Sequence, residues 1–344
     1  MMVAKLGSTM QALLPGVVLS LFVAAARRLY HRLRDGLPAS AVPLAFSSCR
    51  VHRIRSQTGH DYKLLVSLPL RYSAADRASY PVLIVLDAEP YLFPLLTVCA
   101  RTNHFFAKSY YFPDAIVVGV VADLEAESRF HCRNGGVDVP LIWASQRPTR
   151  ARDYLPTAAE SPWGAPGSGS LLHISGHADE FCDFLADTLV PYVDATYSTR
   201  GARARALIGK SFGGSGVGAA LIHPRASRLF SEFVLGSPSL AWDDGAWFRL
   251  FEMTLDAGAA TDAELTAAAY GSPPFAADVF VCLGGEKDVD PEVMARFKRA
   301  LDSRPGPRGE VCVEIVPGES HGSVSYPFVH HALEWLKPRW QRTE

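Results

Sequence analysis

The sequence predicts an α/β fold in which a mostly parallel sheet of about eight strands carries helices on both faces. Residues 81–87 and 115–121 are continuous apolar runs, as expected for parallel strands that are covered on both sides. Residues 206–208 form a third, shorter apolar run, which leads through a turn of small residues into a helical segment. Two late runs, 277–283 and 311–316, each end in a polar loop. This alternation of strand, loop and helix is typical of parallel sheets.

The sheet is predicted to begin with an antiparallel hairpin. Residues 49–54 and 62–68 alternate polar and apolar side chains, and the turn-forming residues 57–60 separate them. Helical periodicity then returns at four places farther along the chain, at residues 180–185, 247–256, 292–301 and 328–336.

The turn at residues 209–213 reads Gly-Lys-Ser-Phe-Gly, the pattern of a nucleophile elbow. A serine on such a turn projects its hydroxyl away from the backbone, because the flanking glycines let strand and helix pack closely around it. The pattern therefore predicts Ser211 as the nucleophile at the top of an α/β-hydrolase sheet.

The Gly-Lys-Ser sequence also has a rival interpretation as the end of a phosphate-binding loop, G-x-x-x-x-G-K-[ST]. The first glycine of that pattern would fall at position 204, where this chain has Ala204. Residues 204–208 also have strand character, whereas a phosphate-binding loop needs them free to curl around the nucleotide. The sequence thus favours the elbow.

The two late strands supply partners for the serine in the chain order serine, acid, histidine. His321 follows the last predicted strand and is the predicted general base, which later acts as the acid. The loop after residues 277–283 holds three candidate acids, Glu286, Asp288 and Asp290. The residues alone leave the choice among the three open.

An oxyanion hole is expected from two backbone N–H groups. One belongs to Phe212, the residue after the nucleophile, and the other lies near Ala88 in the turn after the third strand. In a dry site each such group contributes about 3 kcal/mol to transition-state stabilisation.

Candidate substrate contacts are Arg150, Arg152, Lys210 and Trp242. The two arginines fall in residues 124–175, a segment rich in Gly, Pro, Ser and Arg that predicts a lid, a binding insertion or a disordered loop. Guanidinium groups suit anionic or aromatic acyl groups. Lys210, next to the nucleophile, is expected to favour substrates with a negative charge near the scissile bond.

The first 40 residues are interpreted as a leader, followed by a catalytic domain over residues 41–344. The apolar run 12–26 would span about 23 Å as a helix, at about 1.5 Å per residue, and the hydrocarbon core of a bilayer measures about 30 Å. A targeting segment, an interfacial membrane anchor and a flexible leader therefore stay open. A cytoplasmic or membrane-associated location is favoured over secretion.

Composition excludes several function classes. The net charge is −1, with 48% hydrophobic residues, which is ordinary for a globular enzyme and gives no sign of a nucleic-acid partner. Six cysteines are too sparse for a disulfide scaffold and lack the spacing of a zinc site. No metal or other cofactor is expected, and the oligomeric state is not specified.

From about residue 47 to residue 340 the chain resembles the putative-esterase branch of the α/β-hydrolases, which includes the ferric-siderophore esterases of the enterobactin and bacillibactin type. The motifs that carry the resemblance are residues 80–87, 152–157, 189–192, 209–214, 237–243 and 317–322. The resemblance implies a serine esterase that forms an acyl-enzyme on a small-molecule ester, with a siderophore or other hydroxy-acid lactone as the candidate substrate. It also implies Asp288 as the acid, because the branch places a carboxylate after Gly-x-x.

The chain departs from that branch at two positions. The branch usually has histidine before the nucleophile, where this chain has Lys210, and glycine where it has Ala88. The first departure bears on substrate charge and the second on the oxyanion hole. Two alternatives stay open: an acyltransferase that uses the same acyl-enzyme, and a non-catalytic, membrane-associated binding protein of the same fold.

Overall fold

The computed structural model describes twelve stretches of the chain: residues 49–69, 72–73, 79–88, 92–102, 112–123, 132–134, 137–139, 141–162, 170–260, 277–286, 288–303 and 309–341. The predicted leader over residues 1–40 lies outside these stretches, so the leader and the domain boundary that follows it stay predictions.

One eight-stranded sheet forms the centre of the fold. Its strands are β1 Cys49–Arg55, β2 Asp61–Ser67, β3 Val82–Val85, β4 Ile116–Ala122, β7 Arg205–Lys210, β8 Glu232–Gly236, β9 Asp278–Gly284 and β10 Val311–Val316. Their spatial order is β1-β2-β4-β3-β7-β8-β9-β10. The pairs β1–β2 and β2–β4 are antiparallel and all others are parallel. The predicted hairpin and mostly parallel sheet are thus confirmed.

Helices flank the sheet on both faces. They are α1 Phe93–Thr102, α2 Leu141–Tyr154, α3 Ala178–Phe184, α4 Val190–Thr196, α5 Phe212–Ile222, α6 Ala246–Ala260, α7 Pro291–Asp302 and α8 Ser325–Gln341, with a π-helical turn, Leu185–Leu189, between α3 and α4. Neighbouring residues of β3 belong to different apolar clusters: Ile84 packs in the cluster that contains Val217 of α5, and Val85 in the cluster that contains Phe328 of α8. Among the helices of the described stretches, none combines the length and apolar character needed to cross a bilayer.

The segment 124–175, in which no helix was predicted, contains one at residues 141–154, and its role as a lid or a binding insertion stays a prediction. Strands β5 (Cys132–Asn134) and β6 (Val137–Val139) form a two-stranded ribbon, and α2 follows it. Pro148 lies inside α2, where a proline ordinarily disfavours a helix. Packing on α5 offsets this cost: the ring of Tyr154 lies so close to Gly216 that a Cβ there would be 2.9 Å from it.

Candidate active site

The residues of the candidate site lie at the carboxyl ends of five parallel strands, the edge at which open α/β sheets bind ligands. Asp87 and Ala88 follow β3, Ser211 follows β7, Ser237 follows β8, Asp288 follows β9 and His321 follows β10.

Ser211 occupies a sharp turn between β7 and α5. Its backbone has φ 58° and ψ −121°, a conformation that non-glycine residues rarely adopt, and its N–H donates to the Gly236 carbonyl at 2.8 Å. Because residues 205–210 are an extended strand, they do not curl as a phosphate-binding loop requires. The local structure is that of the predicted elbow.

Gly209 is required by the close packing of this turn. A Cβ at this position would lie 2.4 Å from the Gly213 carbonyl oxygen, so Gly209→Ala must displace the backbone around Ser211. We expect this substitution to lower the free energy of unfolding by about 1–3 kcal/mol, measured by denaturant titration. Gly322→Ala is the matched control, because nothing lies within 4 Å of its added Cβ. Equal stability of the two variants would contradict the prediction.

The structure brings together three side chains that are far apart in the sequence. The Nε2 atom of His321 lies 3.1 Å from Ser211 Oγ, and its Nδ1 lies 2.6 Å from Asp288 Oδ1. The Asp288 side chain has 0% of its surface exposed and that of His321 has 48%. A hydroxyl, an imidazole and a buried carboxylate therefore form one hydrogen-bonded series, the geometry of a nucleophile, its base and the group that orients the base.

Of the three candidate acids, Asp288 is the one that contacts His321. Asp290 caps α7 instead, its Oδ1 accepting the Glu292 N–H at 2.8 Å. Glu286 is exposed.

Asp288 is held in its ionised form. Burial by itself would raise the pKa of this carboxyl, but hydrogen bonds from His321, from Ser237 Oγ at 2.5 Å and from the Gly284 N–H at 2.7 Å together lower the pKa below the ordinary aspartate value. An ionised carboxylate only accepts hydrogen bonds. Its contact therefore places a proton on His321 Nδ1, and the Nε2 lone pair of the neutral ring faces Ser211.

Ser237 belongs to the site, although the sequence analysis did not assign it a role. It is 1% exposed, has a positive φ of 41°, and its N–H donates to the Cys282 carbonyl at 2.9 Å. The available signal was a polar residue placed directly after the apolar run of β8, at the same edge as Ser211. Its hydroxyl and the Gly284 N–H fix the second oxygen of Asp288.

Ser237→Ala is expected to lower kcat about 10-fold, because hydrogen bonds to charged groups contribute about 1.5–3 kcal/mol and the Gly284 N–H still holds the carboxylate. Steady-state hydrolysis of a model ester measures the effect. Ser175→Ala is a matched control: Ser175 is also buried, but its hydroxyl donates to the Leu171 carbonyl at 2.9 Å. A loss of kcat of similar size in both variants would mean that Ser237 acts only through stability.

The two residues predicted for the oxyanion hole lie on turns that Asp87 connects. Asp87 precedes Ala88, has φ 54°, and accepts the Gly213 N–H at 2.9 Å through Oδ2. Gly213 follows Phe212 in the first turn of α5. A Cβ at Gly213 would come within 2.6 Å of that Asp87 oxygen, so this contact needs a glycine. The role of the Phe212 and Ala88 N–H groups stays a prediction.

Ala88, one of the two departures from the branch pattern, is fully buried beside β4. Its methyl group fills the space next to Gly119, where a Cβ would lie 2.6 Å from the Ala88 Cβ. The glycine on β4 thus accommodates the side chain that replaces the usual glycine after Asp87.

Arg150 lies at the site, and its charge is paired with that of Asp87. It reaches from α2 to Asp87 through two hydrogen bonds of 2.6 Å, and its guanidinium carbon lies 5.3 Å from the centre of the Phe212 ring. Its side chain is 14% exposed. Arg150 therefore connects α2 to the turn that carries Ala88, and its contact with substrate stays a prediction.

The structure corrects the predicted substrate contact of Trp242, which is buried. Arg152, like Arg150, has partners inside the fold, and its contact with substrate stays a prediction. Arg152 pairs with Asp153 at 2.6 Å and donates to the Tyr62 hydroxyl at 3.2 Å, so it fastens α2 to β2. Trp242 is 1% exposed, and its ring meets that of Phe212 edge-on with centres 6.0 Å apart. Both side chains have partners inside the fold, and Trp242 packs against the ring of Phe212.

The side chain of Lys210 contacts the protein backbone and does not face a substrate charge as predicted. It is 4% exposed, and its Nζ donates to the backbone carbonyl of His321 at 2.5 Å. The ammonium group is thus directed at the loop of His321 and not at open solvent, where a substrate charge would be met.

Within the described stretches, one group of side chains has the spacing of metal ligands: Asp179, Asp183 and His223. The Nδ1 atom of His223 accepts the Ala226 N–H at 3.1 Å, so Nε2 of the neutral ring carries the proton and faces Asp179 at 3.2 Å. Arg225 neutralises Asp183 at 2.9 Å. These contacts satisfy the group without an ion.

Residues 158–300 match the model of the family described as "Putative esterase". The BES protein from Bacillus cereus has a similar structure, with 18% identity and a TM-score of 0.62 over 88% of this chain and 99% of that one. So do the siderophore hydrolase EstB from Aspergillus nidulans, with 20% identity and 0.61 over 87% and 97%, and an IroE-like serine hydrolase from Shewanella oneidensis, with 21% identity and 0.61 over 84% and 80%.

No curated protein matches the sequence. The structural likenesses confirm the α/β-hydrolase fold. The family match confirms the resemblance to the putative esterases and indicates that this chain is a carboxylic ester hydrolase.

Proposed function

We propose that this chain hydrolyses carboxylic esters through an acyl-enzyme formed on Ser211. The observation that carries the proposal is the hydrogen-bonded series from Asp288 through His321 to Ser211, with contacts of 2.6 Å and 3.1 Å. The match to the esterase family supports the reaction class.

In the first half of the reaction, Ser211 Oγ attacks the ester carbonyl carbon and His321 Nε2 takes its proton. Asp288 stabilises the resulting imidazolium, and the N–H groups of Phe212 and Ala88 donate to the negative oxygen of the tetrahedral intermediate. The carbon–oxygen bond then breaks. The departing alcohol takes the proton from Nε2, which leaves the acyl group on Ser211.

In the second half, His321 removes a proton from a water molecule, which attacks the acyl-enzyme. The carboxylic acid leaves and Ser211 regains its proton from Nε2. The side chain of His321 is half-exposed, so water can reach the base in this step.

The candidate substrate is a siderophore or another hydroxy-acid lactone. The basis is the resemblance of the motifs, together with a fold shared with a protein described as a siderophore hydrolase. A panel of hydroxy-acid lactones and simple alkyl and aryl esters, compared by kcat/KM, tests this part. Preference for simple esters over every lactone would contradict it.

The test of the reaction uses the purified full chain with a nitrophenyl ester and a fluorophosphonate probe. We expect turnover of the ester and one covalent adduct per chain, located on Ser211 by peptide mass spectrometry. Acid-to-ester product ratios with added alcohols separate hydrolysis from acyl transfer. A folded protein that gives neither turnover nor an adduct would contradict the proposed function.

A further inference from the structure

We propose that Lys210 is a positioning residue whose side chain holds the loop of His321 in the geometry that the reaction needs. The inference rests on the proposed esterase function, in which His321 must reach Ser211. It assigns Lys210 a role in the catalytic framework in place of the substrate contact predicted from the sequence.

Lys210 is built into the fold directly beneath the site. It is the last residue of β7, next to Ser211, and its side chain is buried at 4% exposure. From there Nζ donates to the His321 carbonyl at 2.5 Å. A buried ammonium group is costly unless it is hydrogen-bonded, and bonds from charged donors are the stronger ones. This contact therefore ties the nucleophile strand to the backbone of the residue that activates the nucleophile.

The loop that Lys210 holds lies on the surface. Residues 320–323, between β10 and α8, are exposed, and Ser320 and Ser323 hydrogen-bond to each other at 2.9 Å. The Glu286 N–H donates to the backbone carbonyl of Glu319, two residues before His321, at 2.9 Å. The Lys210 contact acts on His321 itself. A displacement of about 1 Å at a reacting group can cost about 100-fold in rate, so the contact is positioned to affect kcat.

Three charged groups and one backbone carbonyl, from four elements, face the ammonium. Asp288 after β9 and Asp87 after β3 favour its charge, whereas Arg150 of α2 opposes it, and His321 after β10 offers its carbonyl. Burial has the largest effect and, together with Arg150, lowers the pKa of Lys210 to about 8. The side chain thus changes from ammonium to amine in mildly alkaline solution, and a neutral amine is the weaker donor to a carbonyl.

Deprotonation of Lys210 is expected to have opposite effects on catalysis and on the stability of the fold. Below about pH 8 the charged group holds the loop, and above it the contact weakens and kcat falls. In the unfolded chain the same lysine keeps its proton up to its ordinary pKa of 10.5, so between the two values the unfolded state binds more protons. The free energy of unfolding contributed by Lys210 therefore rises over that range. An alkaline loss of activity that starts near pH 8 without loss of structure is the expected signature.

The experiment compares the full chain with Lys210→Met, which keeps the length and removes the charge, and with Lys210→Arg, which keeps the charge. Lys298→Met is the matched control, because Lys298 is an exposed residue of α7 that pairs with Asp302. Hydrolysis of a nitrophenyl ester is followed from about pH 6 to about pH 10, a range that brackets the group's titration. Circular dichroism at each pH verifies the fold.

We expect Lys210→Met to lose about 10- to 100-fold in kcat with little change in KM, and to lack the alkaline step. Lys210→Arg should recover a large part of kcat and remain active above pH 8, because a guanidinium keeps its charge there. Lys298→Met should follow the wild type. If Lys210→Met does not fold, the presence or absence of the alkaline step in the pH profile of Lys210→Arg tests the inference.

A Lys210→Met variant with wild-type kcat, or a Lys210→Arg variant that keeps the step near pH 8, would overturn the inference while ester hydrolysis by the wild type stands. A wild-type protein that neither hydrolyses esters nor reacts with the fluorophosphonate would instead overturn the proposed function, and the inference with it.

Discussion

Replacing Ser211 with alanine is expected to reduce kcat for ester hydrolysis by about 10⁵- to 10⁶-fold and to abolish labelling by a fluorophosphonate. Removal of the hydroxyl leaves the acyl group with no atom to which it can be transferred, and serine hydrolases that lose this residue fall by about this factor. Stopped assays at high enzyme concentration measure the residual rate. The backbone strain at φ 58° is the same for alanine as for serine, so the fold and the melting temperature should change little.

Two further variants separate loss of the nucleophile from general damage to the site. His321→Ala should be nearly as inactive, and the double variant no worse than either single one, because the two groups act as a unit. His330→Ala is the matched control, since that histidine is exposed on α8 and outside the site. Retention of more than about one-tenth of kcat by Ser211→Ala would contradict the acyl-enzyme mechanism.

The sheet and the three residues of the hydrogen-bonded series could be predicted from the sequence because each depends on local pattern and chain order. Strands covered on both faces require long apolar runs, and an elbow requires small residues on both sides of a serine. In a parallel sheet the residues that follow successive strands meet at one edge, so Ser211 and His321 could be placed together without knowledge of any contact. The acid could not be chosen from the residues alone because three carboxylates follow β9, and only the fold shows that Asp290 caps α7.

Side-chain direction could not be predicted in the same way. Lys210 and Arg152 were expected to meet substrate because of their charge, and Trp242 was also predicted as a substrate contact. The partners of all three side chains come from distant segments of the chain. Helix α2 was missed because Pro148 and neighbouring polar residues resemble a loop, whereas its stability comes from packing on α5. Long-range contacts of this kind leave no periodic signal in a single sequence.

Replacing Asp288 with asparagine is expected to lower kcat by about 10⁴-fold while leaving the geometry of the site intact. The Ser237 hydroxyl and the Gly284 N–H both donate to the second oxygen of Asp288, so the asparagine must place its own oxygen there. Its NH₂ group then faces His321 Nδ1, and that nitrogen must accept. The ring proton is forced onto Nε2, where it blocks proton transfer from Ser211. Steady-state kinetics and the rate of fluorophosphonate labelling should fall together.

The same substitution also tests the charge of Asp288. Because the folded pKa of Asp288 is lowered from its ordinary value of 3.8, its charge contributes to stability above that pH, and the contribution is lost as pH falls through the lower folded value. The difference in free energy of unfolding between wild type and Asp288→Asn should therefore shrink in acid, as measured by urea titration at several pH values. Asp290→Asn is the matched control, because asparagine also caps helices and Asp290 does not touch His321. Full activity in Asp288→Asn, or equal losses in both variants, would mean that another carboxylate orients the imidazole.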